Sequence, residues 1–229
     1  MSINQDFASE FYPFLSAPVA GSGEPLAALL SSARSSTLAK CAEVVALRAE
    51  VLAEHEADLE HAAETMADRF VRGGKLLAFG NGGSATDADD AAADCTTPHG
   101  QGWRSLPALS LPADSATVTA IANDVGLDSV FVRQLGAVGE RHDIALGFST
   151  SGNSTNIVAA FAEARKRGML TVALTGYDGG AVARTGAVDF CFIARREFVP
   201  RIQEGHATIW HTLLELTQHA LIARGERQS

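Results

Sequence analysis

Between residues 80 and 94 the chain reads GNGGSATDADDAAAD, a glycine-rich turn followed by Asp87, Asp89, Asp90 and Asp94. Carboxylates near a helix N-terminus are stabilised by the helix macrodipole, which assigns Asp87 and Asp89 to supporting the helix end. Asp90 and Asp94 project from one helix face further along, where that effect has faded. Two carboxylates on one face repel unless a cation, a proton or water lies between them, so acid–base or metal chemistry could sit there. A second set of reactive groups lies in RIQEGHATIWH, with Gln203, His206 and His211. At ~100° per residue, Gln203 and His211 stand about 80° apart around a helix axis. An amide oxygen, two imidazoles and two carboxylates can bind a divalent metal if the two segments meet. Spacing alone does not establish that they meet.

Two turns have a composition suited to a phosphate. GNGGSAT follows one short apolar run and STSGNSTN follows another. Glycine permits backbone angles that aim successive N–H groups at one point. Serine and threonine hydroxyls add donors, and a following helix adds its positive end. Ser149, Thr150, Ser151, Ser154 and Thr155 crowd around Gly152, more hydroxyls than a helix cap needs. A phosphate monoester fits such a cup. No Walker A pattern is present, which argues against a nucleoside triphosphate, and the third glycine of a dinucleotide fingerprint is missing.

The elements that must position these groups are legible in the apolar pattern. KLLAFG (75–80), LPALSL (106–111), DIALGFS (143–149), LTVALTG (170–176) and DFCFIA (189–194) are short runs, apolar on both faces, separated mostly by alanine-rich helical segments. That alternation predicts an α/β fold: a doubly wound five-stranded parallel sheet with helices on both faces and ligands at the carboxyl ends of the strands. Upstream, residues 25–72 have helical periodicity and predict two long helices meeting near Glu54–Glu56, the second ended by Gly73-Gly74. RIQEGHATIWHTLLELTQHALIA predicts one amphipathic helix. Residues 1–24 read as an N-terminal extension: SAPVAGSGEP is linker-like, and FASEFYPFL has the aromatics to dock on a neighbouring surface. The domain proper is 25–229.

A formal charge of −9 argues against binding a nucleic-acid backbone. No apolar run is long enough to span a bilayer. Cys41, Cys95 and Cys191 are odd in number and far apart, which fits reduced thiols. With no leader-like start, these features predict a cytoplasmic chain with no membrane partner.

GGKLLAFGNGGSATDADDAAAD, TAIANDVGLDSVFVRQLGAVGERHDIALGFSTSGNSTNIVAAFAEARKRGMLTVALTGYDGG and RIQEGHATIWH together resemble the sugar isomerase (SIS) domain family and, within it, the phosphoheptose isomerases. The resemblance runs from Gly73 to His211. It implies conversion of sedoheptulose 7-phosphate to D-glycero-D-manno-heptose 7-phosphate by a homotetramer with active sites shared across subunits. It also implies a divalent metal, zinc in some members. Matched position by position, Ser149, Thr150, Ser151 and Ser154 correspond to the phosphate-binding turn. Asn81, Gly82, Gly83 and Ser84 form the first turn, in which Asn81 and Ser84 match sugar-contacting positions, and Asp124 matches a position near the sugar. Gln203 matches a residue contacting substrate or metal. His211 matches the catalytic histidine, also a metal ligand, and Asp94 stands where the family has its catalytic glutamate. The implied metal set is Asp90, Asp94, Gln203 and His211. Asp90 replaces a histidine, which makes the set harder and favours Mn or Mg over Zn. Pro200 replaces an acidic residue of some members. Asp94 keeps the carboxylate but is one methylene shorter than glutamate. These departures also suit an alternative: a non-catalytic SIS-domain protein that binds phosphosugars or other proteins as a regulator.

Overall fold

The computed structural model describes residues 26–225, with side chains from residue 28 onward. The 1–24 extension lies outside the described residues. The chain divides into two compact units, residues 1–43 and Val44–Ser229. The described part of the first is helical, and its side chains are exposed.

The elements in chain order are α1 (Leu26–Val71), β1 (Leu76–Gly80), α2 (Gly83–Thr96), β2 (Ala108–Ser110), α3 (Ser115–Asp124), a 3-10 turn (Leu127–Ser129), α4 (Val130–Val138), β3 (Ile144–Ser149), α5 (Thr155–Lys166), β4 (Leu170–Gly176), α6 (Gly180–Arg184), β5 (Phe190–Ala194) and α7 (Val199–Ala223). All five strands pair in parallel in the order β2-β1-β3-β4-β5, as the apolar runs predict. The predicted break near Glu54–Glu56 is absent, and α1 is continuous. Residues 26–71 contain neither glycine nor proline, so nothing local stops the helix. At the expected break the helix is anchored instead: buried His55 accepts from the Ile193 N–H of edge strand β5 at 3.1 Å.

Strand residues alternate between two faces, and each face has its own core. Leu76, Ala78, Leu146, Phe148, Val172 and Leu174 pack with Met66, Phe70, Ile202, Ile209 and Leu213. Leu77, Phe79, Ala145 and Ala173 pack with Phe131, Leu135, Phe161 and Val182. Burial on both faces is what makes these strands read as continuous apolar runs rather than alternating ones. At the amino ends of β1 and β3, Asp143 is 1% exposed and fully engaged. It accepts from the Lys75 N–H at 2.9 Å, from Lys75 Nζ at 2.7 Å and from the Glu140 N–H at 2.7 Å. These bonds pin the two strands whose opposite ends build the site.

In this order β2 lies to one side of β1 and β3 to the other, so the direction in which strands are added across the sheet reverses at β1 while all strands stay parallel. A parallel sheet opens a crevice at the carboxyl ends of the strands at such a switch point. Among the described residues no helix is long and apolar enough to cross a membrane.

Candidate active site

Gly80 pairs in register with Phe148, which brings the turn after β1 beside the turn after β3. The two are stitched by reciprocal amide bonds: Asn81 Nδ2 donates to Asn156 Oδ1, and Asn156 Nδ2 donates to Asn81 Oδ1, both at 2.9 Å. Between them lies a hollow of about 40 Å³ lined by Asn81, Ser84, Phe148, Ser149, Thr150 and Ser154. The N-termini of α2 and α5 both end here, so two positive helix ends and several hydroxyls share one small space. Ser154 occupies the N-cap of α5 without using its hydroxyl on the cap. The Gly152 N–H bonds Ser149 Oγ at 3.1 Å, and Gly152 holds a φ of +62°. Ser151 Oγ accepts from the Asn153 N–H at 3.2 Å. Thr155 leaves the cluster that its sequence position suggests, since its hydroxyl donates to Asp128. Asp124 stays at the surface at the end of α3, where it accepts from Asn123 Nδ2 at 2.8 Å.

Along α2 the carboxylates separate into different roles. None lies in the first helical turn, so the predicted support of the helix end by Asp87 and Asp89 is not what they do. Asp89 accepts from the Ser110 hydroxyl and ties α2 to β2. Asp87 accepts from Gln203 Nε2 at 3.4 Å, a long contact across to α7. Gly83 makes room for that amide, because a Cβ there would stand 2.5 Å from Gln203 Nε2. Burial pushes the Asp87 carboxyl up to about 6; the Gln203 bond opposes this and the charge of Asp90 adds to it. Asp90 itself is exposed.

The Asp87 shift makes a pH prediction. A carboxyl whose folded pKa lies above the unfolded 3.8 holds its proton longer in the folded chain, so stability falls as pH rises between 3.8 and about 6. Asp87→Asn keeps an acceptor for Gln203 and carries no charge. Its Tm is expected to match wild type near pH 4 and to exceed it increasingly up to pH 7. Thermal melts of both proteins at three pH values check this, and a constant difference contradicts it.

Asp94 and His211 do come together. His211 Nε2 stands 3.6 Å from Asp94 Oδ2, and the imidazole is 67% exposed. The same oxygen accepts from the indole Nε1–H of Trp210 at 2.9 Å, a bond the sequence reading missed. The available signal was that a buried indole N–H needs a partner. Asp94 and His211 also line a hollow of about 210 Å³ with His99, Trp103, Leu214 and Glu215. His206 does not join them. It is fully buried against Phe148, with ring centroids 6.1 Å apart, and among the described residues neither ring nitrogen has a hydrogen-bond partner. Burial drives its pKa down to about 4, and the Thr175 backbone opposes this without meeting hydrogen-bond geometry. The ring is therefore neutral.

The expected metal set splits in this geometry. Gln203 lies with Asp87, whereas Asp94 lies with His211 and Trp210. Among the described residues no three His, Cys, Asp or Glu side chains gather closely enough to hold a metal ion. Trp210 donates its indole N–H to Asp94 and is not itself a metal donor. The donors of a single chain do not fit the tetrahedral set of a zinc site.

A hydroxyl-lined hollow thus sits at the switch point of a parallel sheet, with a carboxylate beside an imidazole on the adjoining helices. The chain belongs to the SIS domain family, whose pattern matches residues 41–176. Several relatives 40–44% identical carry the name phosphoheptose isomerase. The one from Solidesulfovibrio magneticus is 42% identical over 179 residues, covering 78% of this chain and 86% of its own. The solved structure from Neisseria gonorrhoeae is 35% identical with a TM-score of 0.74, covering 81% of this chain and 98% of its own. That from Francisella tularensis is 29% identical with a TM-score of 0.75, covering 82% and 98%.

Proposed function

We propose that this chain is an aldose–ketose isomerase that converts sedoheptulose 7-phosphate to D-glycero-D-manno-heptose 7-phosphate. The observation that carries the reading is one continuous α2–α7 seam with an anion cup at one end and the Asp94–His211 pair further along. Ser84 and Asp94 are ten residues apart on α2, about 15 Å along its axis. A substrate with its phosphate and its carbonyl at opposite ends of a long carbon chain suits that separation better than a triose.

In the proposed chemistry the phosphate is held by Ser149, Thr150, Ser151 and Ser154 at the converging helix ends, which orients carbons remote from it. Asn81, Gly82, Gly83 and Ser84 shape the facing wall, and Gln203 and Asp124 complete the substrate set by resemblance. Asp94 and His211 are the acid–base pair. One takes the proton from the carbon beside the carbonyl while the other protonates the carbonyl oxygen, giving an enediol. Returning the proton to the former carbonyl carbon, with loss of the hydroxyl proton on the carbon first deprotonated, exchanges ketose for aldose. A divalent metal on Asp90, Asp94, Gln203 and His211, zinc or a harder ion, is part of the family expectation. The donors of one chain do not assemble it, and no step here is routed through it.

A homotetramer with shared active sites is part of the same proposal. The exposed His211 and the open hollow beside it offer the place where a second copy would complete the site. A cytoplasmic setting suits a phosphorylated substrate. The regulator reading is not favoured: relatives about 40% identical over most of the chain are named as isomerases, and Asp94 keeps a carboxylate on His211. The direct test is incubation with sedoheptulose 7-phosphate in deuterated water. Deuterium entry beside the carbonyl and appearance of the aldose are expected. Neither event, with each of Zn, Mn and Mg supplied, would remove the proposal.

A further inference from the structure

The acid–base pair has a third neighbour. Trp210 immediately precedes His211 on α7, is 2% exposed, and donates its indole N–H to Asp94 Oδ2 at 2.9 Å. Neighbouring helix positions point about 100° apart. Trp210 therefore reaches Asp94 from the core, while the exposed His211 approaches the same oxygen from the solvent side at 3.6 Å. An indole N–H only donates and does not ionise near neutral pH. It can fix a carboxylate without competing in proton transfer.

From this geometry we infer that Trp210 is a positioning residue, which clamps the Asp94 carboxylate beside His211 and leaves Oδ1 to meet the substrate. Among the described residues Oδ1 has no hydrogen-bond partner. A partly exposed aspartate held only by one long contact to an exposed imidazole would sample several rotamers. A second, buried donor selects one of them. The clamp also compensates for length, since aspartate is a methylene shorter than glutamate and its orientation must be held more tightly to bring a base within reach. The inference rests on the reading of Asp94 and His211 as the acid–base pair.

The test is Trp210→Phe, which keeps an aromatic ring in the buried slot and removes only the donor. A fall in kcat of roughly tenfold or more is expected, with KM within about twofold of wild type, the pattern of a transition-state rather than a binding defect. Adding Asp94→Glu to Trp210→Phe is expected to recover part of the loss, because the longer carboxylate spans the gap unaided. A measurement that leaves Trp210 in place covers the case in which Trp210→Phe does not fold. The chain has two tryptophans, so the Trp210 indole N–H resonance is separable from that of Trp103 by Trp103→Phe. It is expected to move in Asp94→Ala and to hold its position in His211→Ala. An unchanged kcat in folded Trp210→Phe, or an indole resonance indifferent to Asp94→Ala, overturns the inference and leaves the isomerase reading standing. A wild-type chain without turnover or deuterium exchange overturns both.

Discussion

Replacing His211 by alanine is expected to lower kcat by about 10²–10⁴-fold, the usual contribution of a positioned proton-transfer group. The imidazole is 67% exposed, so its removal opens no buried cavity and Tm should stay close to wild type. Asp94→Asn should lose activity by a similar factor for a different reason. The amide retains an acceptor for the Trp210 N–H, so geometry survives while the base is gone. Groups that act as a unit lose activity non-additively, so the double variant should be little worse than either single one. Steady-state kinetics on the three variants, with melting curves alongside, check this. Deuterium incorporation separates the roles: the variant that removes the carbon-directed base abolishes exchange, and its partner only slows it. Turnover retained in both single variants would place the chemistry elsewhere on the α2–α7 seam.

Gly152→Ala is expected to damage both the fold and the proposed phosphate cup. The residue sits at φ +62°, where an L side chain is strained, and an added Cβ would stand 2.1 Å from the Gly179 carbonyl oxygen. That neighbour is backbone and cannot rotate away. The left-handed conformation and the overpacking together cost about 2–5 kcal/mol. For a chain of this size that lowers Tm by roughly 5–15 °C. The turn can only relieve the contact by shifting Ser149 and Ser151, whose hydroxyl oxygens accept from the turn's own N–H groups. KM for the phosphosugar, and affinity for inorganic phosphate, should therefore weaken even at temperatures where the variant is folded. A variant with wild-type Tm and unchanged KM would show that the turn has another way to relax.

Much of the site was readable because it depends on short-range chemistry. Gly82-Gly83-Ser84 and Ser149–Ser154 announce tight, donor-rich turns whatever surrounds them. Their neighbouring positions also follow from sequence, since runs apolar on both faces make a parallel sheet and a parallel sheet gathers its turns at one edge. The assignments that changed were long-range. Helical spacing put Gln203 and His211 on related faces of α7. It did not say that Gln203 would meet Asp87, a turn before Asp90, while His211 met Asp94. Asp87 was assigned to the helix end from its distance to the turn, yet α2 starts at Gly83 and leaves it outside the first turn. His206 has the same polarity as His211 in the sequence, and only packing against Phe148 sends it into the core.

The sequence by itself determined the parallel sheet, the two donor-rich turns and the amphipathic closing helix, because burial periodicity and glycine–serine turn chemistry act within a few residues. It also carried the resemblance that named the reaction. Tertiary structure alone decided which carboxylate faces which partner, that α1 runs unbroken through Glu54–Glu56, and that the Trp210 indole closes on Asp94. Periodicity sets the face a side chain occupies on its own helix, but the register in which two helices cross is set by the packing of their whole interface, and that information is spread over residues far apart in the chain.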